Sequence, residues 1–264
     1  MRTQELVFDS RLDKRWQGNG ESVEELLSGM VKDIVSNSYS WMDDEADFHP
    51  PFANNEKCIH SLIMPGIAKR TDRFMMEWET FRQTKSDGSS PSGREETRGF
   101  IDYFIRLNSK RHVLLELKHG WITGRKTTNP EKSTFDKWTE ALDQLQRITS
   151  EELTRFEGGY KIAFMPVTVW IGGNTPDSDN SMREIEANCA LLCNDYPYYR
   201  NALSEVMTNG TFYGREFSDR PNWGSLWFLK EGYRAKRYYG NKEDKYYRFF
   251  PACFFFAHVS RIIC

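Results

Sequence analysis

Asp102, Glu116 and Lys118 are ionisable residues set in two otherwise apolar runs, Gly-Phe-Ile-Asp-Tyr-Phe-Ile-Arg from Gly99 and His-Val-Leu-Leu-Glu-Leu-Lys from His112. Side chains alternate along a strand, so His112, Leu114, Glu116 and Lys118 share one face. In the first run Asp102, Phe104 and Arg106 form one set, and Ile101, Tyr103 and Ile105 the other. If Asp102 lies level with Glu116 across the pair, two carboxylates and an ammonium converge inside a sheet. Burying such groups is costly unless they are paired or bind a cation. The cluster therefore reads as a site. The competing reading is an internal ion pair between Lys118 and one acid, with the sheet serving only as scaffold.

The elements that must position these residues follow from turn signals and periodicity. Asn108-Ser109-Lys110 between the two runs is a hairpin signature. Upstream, Arg73 to Phe81 reads as a strand with Phe74, Met76 and Trp78 on one face and Glu77 and Glu79 on the other. A helix beginning at Glu56, capped by Asn54 or Asn55, precedes it and runs through Ile59, Leu62 and Ile63 until Pro65-Gly66 disturbs it. An earlier helix, Glu21 to Ser36, carries Val23, Leu26, Leu27, Met30, Val31 and Ile34 at helical spacing. It follows a polar arm and precedes an acidic loop holding Asp43, Asp44, Glu45 and Asp47. Gln83 to Arg98 is a polar loop rich in turn formers.

Beyond the hairpin, His119 to Lys132 reads as a loop. Ser133 with Asp136 resembles a capping box, opening a helix whose stripe is Phe135, Trp138, Leu142, Leu145 and Ile148. Tyr160 to Ile171 is an apolar strand in which Pro166 predicts an edge or a bulge. Strand, helix, strand favours a mixed sheet with helices on its faces. Further on, Met182 to Cys193 reads as a helix, Pro197 as an interruption and Tyr199 to Met207 as a short helix. Leu226–Leu229 and Tyr246–Val259 read as strands. The chain divides into an arm and helix at 1–53, a core at 54–173, and an α+β elaboration at 174–264 packed on that core.

The 264 residues can bury a sizeable core, and 28% charged residues place the chain among globular proteins. A net charge of -2 supplies no overall drive toward polyanions, so a nucleic acid would have to meet a local basic patch. One exists in sequence: Lys230 to Arg248 holds seven basic and three acidic residues interleaved with five tyrosines, a pattern that fits base stacking and backbone tracking or a plain exposed hairpin. No apolar run approaches a membrane span, and Glu5, Asp9 and Asp13 do not suit a signal peptide, so a cytoplasmic protein is the expectation. The five cysteines lack paired spacing and suggest neither disulfides nor a zinc site. His112 and His119 read as structural.

In this arrangement the residues resemble the PD-(D/E)xK nuclease superfamily. The match is Asp102 on one strand, Glu116-Leu117-Lys118 on the next, helices before and after and a further strand, over roughly residues 54 to 171. Ile101 stands where the motif's proline would be. The resemblance implies an α/β, restriction-endonuclease-like mixed sheet flanked by helices, and a magnesium- or manganese-dependent nuclease acting on DNA more commonly than on RNA. Asp102, Glu116 and the Leu117 carbonyl would hold the metal, with Glu56 completing a second position and Glu24 or Glu25 as substitutes. Lys118 would orient the attacking water or neutralise developing charge. Gln144 or Gln146 is the candidate for the glutamine some relatives carry, although Ile148 and Ser150 occupy the places of the tyrosine that follows it. Arg125, Lys126 and Lys132 lie where relatives contact substrate, and Arg234, Lys236 and Arg237 offer a second binding surface. A catalytically inactive binding protein and an RNA-processing nuclease are the alternatives, and a homo-oligomer is left open.

Overall fold

The computed structural model describes residues 4–12, 22–43, 52, 56–71, 73–83, 96–108, 111–123, 129–173, 195–238 and 245–263. Several expectations lie outside them: the Asn54 or Asn55 cap, the acidic residues after Asp43, the basic pair Arg125 and Lys126, and a helix at Met182 to Cys193. In chain order the elements are β1 (Gln4–Ser10), α1 (Val23–Asp43), α2 (Glu56–Ala68), β2 (Phe74–Gln83), β3 (Glu96–Asn108), β4 (Arg111–Leu117), β5 (Gly120–Thr123) and β6 (Asn129–Pro130). There follow α3 (Lys132–Gln146), α4 (Ser150–Thr154), β7 (Tyr160–Gly173), α5 (Tyr196–Asn209), β8 (Thr211–Phe212), β9 (Arg215–Glu216), β10 (Trp223–Tyr238) and β11 (Lys245–Arg261).

They form a mixed α/β structure on a large, mainly antiparallel sheet, in the order β1-β10-β11-β7-β4-β3-β2, with β5 beside β7 and β6 beside β5, while β8 and β9 pair as a separate two-stranded sheet. The pairings of β4 and β5 with β7 are the parallel ones, because α3 carries the chain across a face of the sheet between them. Residues of α1 and α2 fill one face with Tyr103, Ile105, Leu115, Phe164 and Phe255. Residues of α3 and α5 fill the other with Leu114, Ala163, Met165, Phe254 and Phe256. Strands covered on both sides read as unbroken apolar runs, and Ile162 to Val167 and Ala252 to Ala257 are such runs.

Several boundaries depart from the sequence-based expectation, each for a physical reason. The N-terminal arm contains β1, paired with β10 from Gln4↔Leu229 to Ser10↔Trp223. The stretch 174–264, expected to pack on the core, contributes β10 and β11 to the sheet itself. α1 continues past Ser36, where Ser38 is buried and Tyr39 packs against the core. Pro65 does not end α2, since Leu62, Ile63 and Ile67 are buried around it, and packing of that stripe outweighs a proline cost of about 3 kcal/mol. α3 starts at Lys132, so Ser133 lies inside the first turn and caps nothing; the N-cap Glu131 gives no side-chain cap either. Buried Thr134 instead ties that turn to β5, its hydroxyl accepting from Trp121 N and donating to Trp121 O, both at 2.9 Å. Pro197 opens α5 at its first turn, a position where a missing N–H costs nothing.

Two departures bear directly on the site. β2 and β3 change faces together: Phe74 and Ile105 pack with the first core, Trp78 and Ile101 with the second. The change falls at Glu77, whose φ of 51° is a left-handed conformation that few non-glycine residues adopt. Phe74, Met76 and Trp78 therefore do not share a face, and Ile101 parts from Tyr103 and Ile105. β7 is also central, not an edge, despite Pro166. β4 pairs with it from Val113↔Tyr160 to Leu117↔Phe164, and β5 resumes in the same register from Gly120↔Val167. Gly120 to Thr123, at the start of the stretch expected to be a loop, are thus a resumed strand. Pro166 falls in the gap. A continued parallel ladder would need the N–H of residue 166 to donate to the Lys118 carbonyl, and proline has none.

Candidate functional site

The interruption between β4 and β5 leaves Lys118 and His119 between strands, and the candidate residues gather there. β3 pairs with β4 as far as Tyr103↔Leu115 and then diverges, so the next β4 amides on that side need other acceptors. Side chains supply them. Asp102 Oδ2 accepts from Leu117 N at 2.7 Å, and Glu56 Oε2, from the first turn of α2, accepts from His119 N at 3.0 Å. From the opposite face, Lys137 of α3 donates Nζ to His119 O at 2.8 Å. Asp102 and Glu56 thus each commit one oxygen to holding the broken strand.

Glu116 lies deeper, with 3% of its surface exposed. Lys118 Nζ donates to its Oε1 at 2.9 Å. Its other oxygen, Oε2, is buried without a hydrogen-bond partner, with Arg82 Nη2 3.7 Å away. Burial, then the Asp102 charge, push the Glu116 carboxyl up to about 7, against the opposing pull of Lys118 and Arg82. Burial pulls the Lys118 ammonium down, but Glu116, Asp102 and Glu56 outweigh it and its pKa is raised. Those effects place Asp102, Glu116, Lys118 and Glu56 in one electrostatic neighbourhood.

Arg82 is the member that the sequence reading left out. The expected strand stopped at Phe81, whereas β2 runs to Gln83. Alternation from Trp78 through Thr80 would have found it, since Thr80 and Arg82 are both buried. His119 lies in the interior, just past the end of β4. It is 1% exposed, with Nε2 3.0 Å from Thr168 Oγ1, and burial followed by Lys137 lowers its pKa to about 3, so the ring is neutral. His112 stacks on Phe104 with ring centroids 5.4 Å apart.

Other expected residues fall elsewhere. Leu117, whose carbonyl was the expected ligand, stays at the end of β4 beside the acids, its amide donating to Asp102. Gln144 donates its amide to Glu140 Oε1 within α3, at 3.1 Å, and its own Oε1 is buried without a partner. Lys132 is exposed at the start of α3, and Arg125 and Lys126 lie outside the described residues. Arg234, Lys236 and Arg237 lie on β10, their backbones paired with Phe249, Tyr247 and Tyr246 of β11, and their side chains are also outside the described set.

Among the described residues no three His, Cys, Asp or Glu side chains converge as a metal cage. Magnesium commonly takes only one or two carboxylates from a protein and completes its shell with water and phosphate. Asp102 and Glu116 fit that requirement in donor chemistry, and the unpartnered Glu116 Oε2 is the oxygen a cation would satisfy. Compared with protein-family models, with curated proteins and with solved structures, the chain finds no match.

Proposed function

We propose that the protein is a divalent-metal-dependent nuclease of restriction-endonuclease-like fold, hydrolysing phosphodiester bonds in nucleic acid, DNA before RNA, in the cytoplasm. The observation that carries this reading is the buried Glu116 carboxylate, one oxygen on Lys118 and the other unpartnered, beside Asp102 at a break in the sheet. The hairpin β3–β4 and the crossover from β4 through α3 to parallel β7 support the fold assignment.

Asp102 and Glu116 would hold magnesium or manganese. A bound ion supplies polarisation of the phosphate and a lower pKa for the attacking water. Glu56 and Asp102 fix the strand end, so that Glu116 and Lys118 project from a rigid backbone. Lys118, held charged by three acids, donates hydrogen bonds to the water or to the phosphoryl oxygen that gains charge. The β10–β11 pair meets the C-terminal end of β7 at Tyr247↔Gly173, beyond the stretch of β7 that β5 covers, and its basic residues would extend the substrate track from there.

The 2.9 Å pair between Lys118 and Glu116 favours a second reading, a non-catalytic binding protein with internally compensated charges. Cleavage assays with Mg2+ or Mn2+ on single-stranded DNA, duplex DNA and RNA test both. Asp102→Ala and Glu116→Ala should each lower metal-dependent cleavage about 100-fold or more while the protein stays folded. Full activity in either variant removes the assignment, and a wild-type protein that neither cleaves nor binds Mn2+ leaves the second reading.

A further inference from the structure

We infer that Arg82 is a positioning residue for Glu116, a built-in counter-ion that attends its second carboxylate oxygen until a divalent cation takes that place. The inference rests on the metal reading above and adds a group outside it.

The backbone of Arg82 is held from both sides. It pairs with Thr97 of β3 and bridges to Ile148 just after α3, while Gln83 N donates to Arg147 O at 2.8 Å and Thr149 N to Phe81 O at 3.0 Å. Its side chain crosses Gly99, where an added Cβ would lie 2.8 Å from both Cδ and Nε. Glycine there leaves the room the guanidinium uses. With 9% of the residue exposed, Nη2 donates to the Phe100 carbonyl.

That bond holds the guanidinium close to Glu116 without letting it close. Nη2 stops 3.7 Å from Oε2, and both Oε2 and Arg82 Nε are buried with no partner. An ion pair serving only the scaffold gains most by closing to hydrogen-bond distance. Here Lys118 satisfies Oε1 at 2.9 Å, and Oε2 keeps a nearby charge but an open valence. Glu116 is therefore held at one oxygen and unpartnered at the other. A cation arriving at Oε2 meets a like charge, so Arg82 opposes metal binding. A phosphate arriving with the metal removes that opposition, because a guanidinium matches phosphate oxygens in its fork.

The test is Mn2+ affinity measured by calorimetry on the full chain without nucleic acid. Arg82→Gln should bind Mn2+ about tenfold more tightly than wild type, and Arg82→Lys, which keeps the charge, should stay near wild type. Gly99→Ala, which displaces the guanidinium and touches no candidate ligand, should shift affinity in the same direction as Arg82→Gln. A scaffold role predicts the reverse, unchanged or weaker binding. Affinity lost in Glu116→Gln but unchanged or weakened in Arg82→Gln overturns this inference and leaves the metal reading standing. Absence of Mn2+ binding in wild type and Arg82→Gln alike overturns both. Should Arg82→Gln not fold, Gly99→Ala carries the test with the same outcomes.

Discussion

Glu116 has exchanged water for Lys118 and the neighbourhood of Asp102 and Arg82, and its carboxyl is held up at about 7, above its ordinary 4.5. The folded protein therefore binds more protons at Glu116 than the unfolded chain between those values, and this contribution makes stability fall as pH rises through the window. His119, buried and lowered from 6.5 to about 3, works in the opposite sense between about pH 3 and 6.5. Where the windows overlap, one proton offsets the other. Glu116→Gln removes only the falling contribution, so its thermal midpoint should climb relative to wild type between pH 4.5 and 6.5. Parallel profiles in a pH series of melts would show that Glu116 titrates as an ordinary surface acid. Strand alternation was enough to find Glu116 and Lys118 in the sequence. The Asp102 bond to the Leu117 amide was not legible, because it depends on β3 leaving β4 after Tyr103.

At the scale of elements, the join between β4 and β7 is tightest at Gly159, where a Cβ would lie 2.6 Å from the His112 carbonyl oxygen and 2.9 Å from that of Phe156. Both obstacles are backbone and cannot turn aside. Gly159→Ala should therefore cost about 1–3 kcal/mol, read as a lower denaturation midpoint with an unchanged slope. A midpoint within error of wild type would mean that the start of β7 can shift. Helix stripes and the hairpin turn were legible because their signals are local. Pro166 was misleading for the opposite reason: it forbids one hydrogen bond on one side, and an edge strand and a central strand with an interrupted neighbour both satisfy that. The face change at Glu77 carried no local mark, since its φ of 51° is imposed on a residue with no preference for it.

Over the whole molecule, a chain of net charge -2 carries a local excess of +4 between Lys230 and Arg248, on the hairpin whose strands pair as far as Tyr238↔Lys245. If that hairpin follows a phosphate backbone, replacing Arg234, Lys236 and Arg237 together by Ala should weaken oligonucleotide binding at low salt. The log-log salt slope should then flatten by up to about three units. An unaltered slope in fluorescence anisotropy moves the track to Arg125, Lys126 and Lys132. The membership of β10 and β11 in the main sheet, across the boundary expected at residue 174, was the least legible feature, because β11 pairs with β7 and β10 with β1 across long separations that leave no periodicity to read. The sheet order has a consequence in time. When β7 leaves the ribosome, its edge toward β11 has no partner, and that partner is complete only at Arg261, about 90 residues later. At ordinary rates of synthesis, roughly 5–20 residues per second, an apolar strand waits for roughly 5–20 s with one row of amides and carbonyls unpaired. Nascent chains halted in that interval present an unpaired apolar edge, the kind that templates association with other strands, and those extended past Arg261 are the first that can close the sheet.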